Sequence, residues 1–130
     1  MSNDVALTLL KKLGKGFNNH DINAVLECVT DDFEWILAEG PDAPHGKIVR
    51  GREGVAATMA ERAKAIAQLR FSDTDLIYAG DRVIGTYRVC GCYADGRPID
   101  ARGCDVYVIR DGKIARKDSY WKRITNADAG

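Results

Sequence analysis

Asp105 and Lys117 are the two residues whose types and placement could do chemistry together. They flank a sharp turn signal, Asp111-Gly112, whose glycine can take positive φ and let two strands pair. If Gly112 sits in a bulge after a type I turn, Ile109 faces Lys113. Asp105 then lies opposite Lys117, Gly103 opposite Ser119 and Ala101 opposite Trp121. A plain two-residue turn would set Asp105 against Asp118, and two carboxylates directly opposite repel. The bulged register is therefore expected, with Asp105 and Lys117 as an ion pair. A carboxylate on a half-buried strand is costly unless paired. Burial favours its neutral form, which could act as a general acid. A neighbouring cation favours the charged form, which is a base or a structural ion-pair partner. Arg88 is a second candidate cation, and its facing depends on Asp95-Gly96. A two-residue hairpin there points Arg88 inward, and a bulged turn points it outward.

Metal chemistry has little support. The four cysteines, Cys28, Cys90, Cys92 and Cys104, do not combine with His20 and His45 at zinc-site spacings. They read as small core hydrophobes that stay reduced, and no metal is expected. Nineteen basic and nineteen acidic residues cancel, and the basic ones are scattered. A nucleic-acid partner is not expected from such a balance, because phosphate neutralisation calls for a basic excess. No apolar run is long enough to span a bilayer. Met1-Ser2-Asn3-Asp4 lacks a basic segment leading into an apolar one, so neither a signal peptide nor a membrane partner is expected, and the location is expected to be cytoplasmic. A chain of 130 residues with 45% apolar and 29% charged content predicts one globular domain.

The elements that must position these residues divide the chain in two. Val5, Leu9, Leu13 and Phe17, with Ala6 and Leu10 beside them, predict a first helix capped by Ser2 or Asn3. Asp21 caps a short second helix with Ile22, Val25, Leu26 and Val29 as its apolar face. Residues 33–37 form a short strand by their aromatic and branched content. Gly40, Pro41, Pro44 and Gly46 predict a loop from Glu39 to Gly51. A third helix is expected from Arg52 to Ala67 with Val55, Met59, Ala63 and Ile66 buried. From Leu69 the period changes to two, and the signals at Gly80, Asp95-Gly96 and Asp111-Gly112 cut out an antiparallel meander of four strands. Helices first and strands after is an α+β order. The domain is expected over 1–124, with a disordered tail at 125–130.

This order of elements resembles the nuclear transport factor 2-like superfamily, in its SnoaL-like polyketide cyclase and ketosteroid isomerase branch. The resemblance rests on Phe17-Asn18-Asn19-His20-Asp21, Val29-Thr30-Asp31-Asp32-Phe33, Gly51-Arg52-Glu53-Gly54-Val55 and Arg110-Asp111-Gly112-Lys113-Ile114. It implies three N-terminal helices packed on a curved, mostly antiparallel sheet, a cystatin-like cone with a pocket. Asp105 matches the position where ketosteroid isomerases carry a protonated Asp that donates to an oxyanion. Their general base falls at Leu37, however, and their oxyanion Tyr near Leu13. Arg88 matches the Arg of limonene epoxide hydrolases, whose two aspartates fall at Cys90 and Ser119. Neither catalytic set survives intact.

The resemblance implies a cavity lined by Trp35, Leu37, Tyr107, Ser119 and Trp121, with Asp105 and Lys117 as its polar centre and His45 in a loop beside the mouth. Trp35 and Trp121 also fit a plain core, and Lys117 a solvated sheet face. Two functions follow from that cavity. One is an isomerase or aldol-type cyclase that moves protons on a small apolar molecule with Asp105, Lys117 and Arg88, and needs no cofactor. The other is a non-catalytic dimeric module that binds a small apolar ligand. A homodimer through the sheet is expected from an outer stripe of Val106, Val108, Ile114 and Tyr120, with Asp118 facing the same way.

Overall fold

The computed structural model describes residues 2–125; the expected disordered tail falls, from residue 126 on, outside them. Ser2 accepts a hydrogen bond from the Val5 amide and starts helix α1, Asn3–Asn18. Its buried line is Ala6, Leu10, Leu13 and Gly16, so Val5 is turned out and 48% exposed. Asp21 caps α2, Ile22–Glu27, by accepting from the Ala24 amide at 3.1 Å. Strand β1 runs from Val29 to Asp42, far beyond the five residues expected. The predicted loop holds the end of β1 and a second strand, β2, Gly46–Arg50. Glycine and proline there make the bend of a hairpin rather than a long loop.

Helix α3 spans Gly51–Ala65, and the meander follows as β3 (Ile66–Ala79), β4 (Arg82–Tyr93), β5 (Pro98–Arg110) and β6 (Lys113–Trp121). The six strands form one curved sheet in the order β2-β1-β6-β5-β4-β3, antiparallel except where β1 runs parallel to β6. The helices cover one face, and fifteen buried residues, among them Leu13, Val25, Phe33, Trp35, Val55 and Ile114, form the main core between the layers. The α+β order holds. Within α3, Val55 and Met59 are buried as expected, but Ala63 is exposed and Arg62 is turned inward. Ile66 is buried as the first residue of β3 rather than as part of the helix.

The β5–β6 register corrects the sequence expectation. Asp111 and Gly112 both have positive φ, 54° and 74°, which makes a two-residue turn with Arg110 opposite Lys113. Ile109 then pairs with Ile114 and Val108 with Arg116, leaving Ala115 as a bulge inside the strand. Beyond it Tyr107 lies opposite Lys117, Asp105 opposite Ser119 and Gly103 opposite Trp121. The bulge keeps Asp105 away from Asp118, as the repulsion argument requires, but the extra residue is Ala115 inside β6 rather than Gly112 in the turn. It also reverses the alternation, so Ile114 is fully buried under the helices and does not join the outer stripe.

Candidate functional site

The inward face of β4, β5 and β6 carries a buried polar cluster. Asp105, 3% exposed, accepts from the Tyr87 hydroxyl at 2.7 Å and from the Tyr107 hydroxyl at 2.9 Å, one on each carboxylate oxygen. Lys117 Nζ stands 3.4 Å from Asp105 Oδ2 and donates to Ser119 Oγ at 3.0 Å. Trp121 Nε1 donates to the Tyr87 hydroxyl at 3.0 Å. The chain of donors thus runs from Trp121 through Tyr87 to the carboxylate. Two phenols and an ammonium are directed at Asp105, and both of its oxygens serve as acceptors.

Gly103 makes this arrangement possible. It pairs with Tyr87 on one side and Trp121 on the other. A Cβ at that position would lie 2.4 Å from Tyr87 Cε1 and 2.9 Å from Trp121 Cδ1. Only a residue without a side chain lets the two rings close over the strand and meet.

Electrostatics follow from burial. Burial pulls the Lys117 ammonium below the ordinary lysine range, Asp105 opposes that, and Arg62 adds to it. The Tyr87 and Tyr107 phenols are pushed up, first by burial and then by the Asp105 charge. Lys117 Nζ also sits 5.1 Å from the ring centre of Phe17 and 5.4 Å from that of Trp35, which offset part of its lost hydration. Arg62 stands in the same layer, its guanidinium 5.3 Å from the Trp35 ring and 5.4 Å from the Trp121 ring.

A cavity of about 210 Å³ opens beside the cluster, walled by Leu37, Ala38, Ala65, Ile66 and Trp121 with Arg62 among the lining residues. Arg62 also borders a second void of about 10 Å³ under Phe17 and Phe71. Asp105 does not line the larger cavity. The lining residues that connect with its cluster are Trp121, through Tyr87, and Arg62.

Of the residues singled out from sequence, Asp105, Lys117, Ser119, Tyr107, Trp35 and Trp121 come together, and Leu37 lines the adjoining cavity. Arg88 does not join them. The turn before β5 has three residues, Ala94-Asp95-Gly96, with Gly96 at φ 91°, so Tyr87 and Val89 face inward and Arg88 outward. Arg88 forms a two-pronged pair with Asp100 at 2.9 and 2.8 Å. His45 lies exposed in the β1–β2 turn and is not among the residues lining the cavity. Tyr87 and Arg62 were missed. Tyr87 follows from the bulged-turn alternative that turns Arg88 out, whereas a lone arginine in α3 carries no such signal. Among the described residues, no group of three or more His, Cys, Asp and Glu side chains could hold a metal ion, and no helix is long and apolar enough to cross a membrane.

Residues 11–117 match the family model of the SnoaL-like domain. The fold is similar to that of a protein assigned as a polyketide cyclase from Xanthomonas campestris pv. campestris, with 24% identity, 92% of this chain and 91% of that one covered, and a TM-score of 0.79. An NTF2-like protein of unknown function from Burkholderia pseudomallei is similar at 21% identity, 94% and 92% coverage and a TM-score of 0.79. TerC, crystallised with polyporic acid, is similar at 20% identity, 91% and 92% coverage and a TM-score of 0.78. No curated protein matches the chain.

Proposed function

Since this chain belongs to the SnoaL-like domain family, we propose that it is a cofactor-independent isomerase or aldol-type cyclase in which Asp105 is the proton-transfer group. The observation that carries this reading is a carboxylate 3% exposed, bonded to two phenols and an ammonium one layer behind an apolar cavity. Asp105 takes a proton from a carbon beside a carbonyl, and the electron pair moves onto the carbonyl oxygen. In an isomerisation the proton returns to another carbon of the resulting enolate. In a cyclisation the enolate carbon attacks a second carbonyl, and the proton goes to the new alkoxide. Both sequences close their own balance of protons and electrons. Lys117 offsets the charge on Asp105 before the transfer, and Tyr87 and Tyr107 hold the carboxylate in place.

The test is deuterium uptake from D2O at the α-carbons of a panel of aryl ketones and aryl β-keto esters, followed by NMR. Wild-type protein should exchange them faster than buffer does, and Asp105→Asn should fall to the buffer rate. Equal rates for the two proteins, or no rate above buffer, would defeat the proposal.

One observation favours the second reading, a non-catalytic binding module: both Asp105 oxygens are already engaged, and Asp105 does not line the cavity. Either function is compatible with a homodimer through the outer face of the sheet. Tyr120 is 57% exposed there, with Val106 and Val108 half-buried. Sedimentation showing a monomer at micromolar concentration would count against the dimer.

A further inference from the structure

Set back from the rim of the cavity, the charges do not balance. Lys117 and the inward-turned Arg62 face a single buried carboxylate, Asp105. Asp105 is committed to Tyr87, Tyr107 and Lys117. The Arg62 side chain makes no hydrogen bond or ion pair among the described residues, and its guanidinium lies between two indole rings. Lys47, Glu39 and Glu61 also line the cavity, but all three are exposed at its rim, where water screens them, and Glu39 accepts from the Tyr93 hydroxyl. A second donor nearby is also unmatched: Trp35 Nε1, in a side chain with no exposure, has no partner. A buried donor without an acceptor, as Trp35 Nε1 is, is rare and costly in a folded protein. The layer between the cavity and the Asp105 cluster thus holds a half-buried cation that faces the cavity without a partner, and beside it one buried donor without an acceptor.

The shape of the cavity narrows what could supply them. Inside the charged rim its walls are aliphatic and indole surfaces with the half-buried Thr58 among them, and about 210 Å³ is below the range of roughly 300 Å³ and more typical of drug-sized ligands. A guanidinium presents a planar fork of donors that matches a carboxylate with two parallel hydrogen bonds. We infer that this cavity binds a small, flat, unsaturated carboxylate, with its anionic end on Arg62 and its apolar body against Trp121, Leu37 and Ile66. Arg62 is then the residue that selects an acid over its neutral analogue. The inference goes beyond the proton-transfer reading and does not need it, because it concerns binding alone.

The chain has two tryptophans, so an ¹H–¹⁵N spectrum of the whole protein has two indole N–H signals, Trp35 and Trp121, as local reporters. The protein is titrated with trans-cinnamate and, separately, with trans-cinnamamide, a neutral molecule of nearly the same shape. Cinnamate should shift both indole signals saturably, and cinnamamide should bind about thirtyfold more weakly or worse. Arg62→Met should bring cinnamate down to the level of the amide. Equal affinity for acid and amide, no binding of cinnamate, or unchanged cinnamate affinity in Arg62→Met overturns the inference. The acid–amide comparison on wild-type protein decides the matter even if the variant does not fold. A protein that prefers cinnamate yet exchanges no α-protons defeats the proton-transfer reading alone, and the converse result defeats this one alone.

Discussion

Asp105 and Asp100 stand on the same strand, each beside a cation, on opposite faces of the sheet. The outer pair has better geometry. Arg88 grips Asp100 with two hydrogen bonds at 2.8 and 2.9 Å, whereas Lys117 reaches Asp105 only at 3.4 Å. Their surroundings reverse the ranking. Arg88 and Asp100 remain about half exposed, while the side chains of Lys117 and Asp105 are 6% and 5% exposed. In water a broken pair is rehydrated. Under the helices a broken pair leaves a bare charge. Strand parity, and not the quality of the hydrogen bonds, therefore decides which pair matters to the fold and to any chemistry.

The largest expected effect is at the inner pair. Asp105→Asn leaves Lys117 buried without its counter-charge and should cost on the order of 3–5 kcal/mol, measured by urea denaturation. Loss of stability alone does not separate a structural from a catalytic Asp105, since both readings contain the ion pair. Asp105→Asn/Lys117→Met removes both charges and should regain most of the loss. If the double variant is stable and still exchanges α-protons, Asp105 is not the proton-transfer group. If it is no more stable than Asp105→Asn, the pair is not the coupled unit described.

How far the sequence reaches can be judged from the same residues. The meander was legible because its turn signals stand between runs of period two, and the inward facing of Asp105, Lys117, Ser119 and Trp121 followed from that. Their register did not follow. Ala115 is an ordinary residue for a strand, and nothing in its type marks it as the bulge that places Ser119, rather than Asp118, opposite Asp105. β2 was hidden because glycine and proline dominate its surroundings, although only the bend between the strands needs them. Arg62 was illegible for a different reason. Propensity and periodicity favour Ala63 inside, and the arginine is turned in by two indoles and a cavity that exist only once the sheet has folded. The α1 face, by contrast, needed nothing beyond its own spacing, apart from a small rotation that turns Val5 out.

A smaller effect is expected where the inner cluster depends on an absent side chain. In Gly103→Ala the new Cβ meets the Tyr87 ring well inside contact distance, and the neighbour is a ring held by hydrogen bonds at its hydroxyl. Overpacking of this kind typically costs about 1–3 kcal/mol. Trp121 should lose its bond to Tyr87, seen as a shift of its indole N–H signal. A variant with wild-type stability and an unmoved signal would show that the rings do not depend on the glycine.

Alkaline pH acts on the inner face with two signs. The Tyr87 and Tyr107 phenols are raised above the ordinary value of 10, so above pH 10 the unfolded chain releases protons that the folded one keeps, and stability falls. Lys117 is lowered from 10.5, so below that pH the unfolded chain holds the proton more tightly, and stability rises as pH climbs toward 10.5. Phenolate absorbance should therefore report fewer than the chain's five tyrosines until unfolding begins. Ionisation of all five in folded protein would mean that the cluster is open to water.

The smallest expected effect is at the outer pair, and it carries as much weight as the largest because it tests the role of the sheet's two faces directly. Burial and a nearby cation or carboxylate shift a group strongly only when water is excluded, and neither Arg88 nor Asp100 is shielded from it. Arg88 is held above the ordinary arginine range, first by its hydrogen bonds to Asp100, but it is charged at any working pH with or without that help. Arg88→Ala should therefore melt at the wild-type temperature in low and in high salt. It should also leave α-proton exchange unchanged, since the side chain stands on the face of the sheet opposite Asp105. Thermal melts at two salt concentrations and the deuterium-uptake assay check both points. A clear fall in exchange with unchanged melting would place Arg88 in the reaction after all, and would mean that the outer face, not the cavity under the helices, is where the substrate meets this protein.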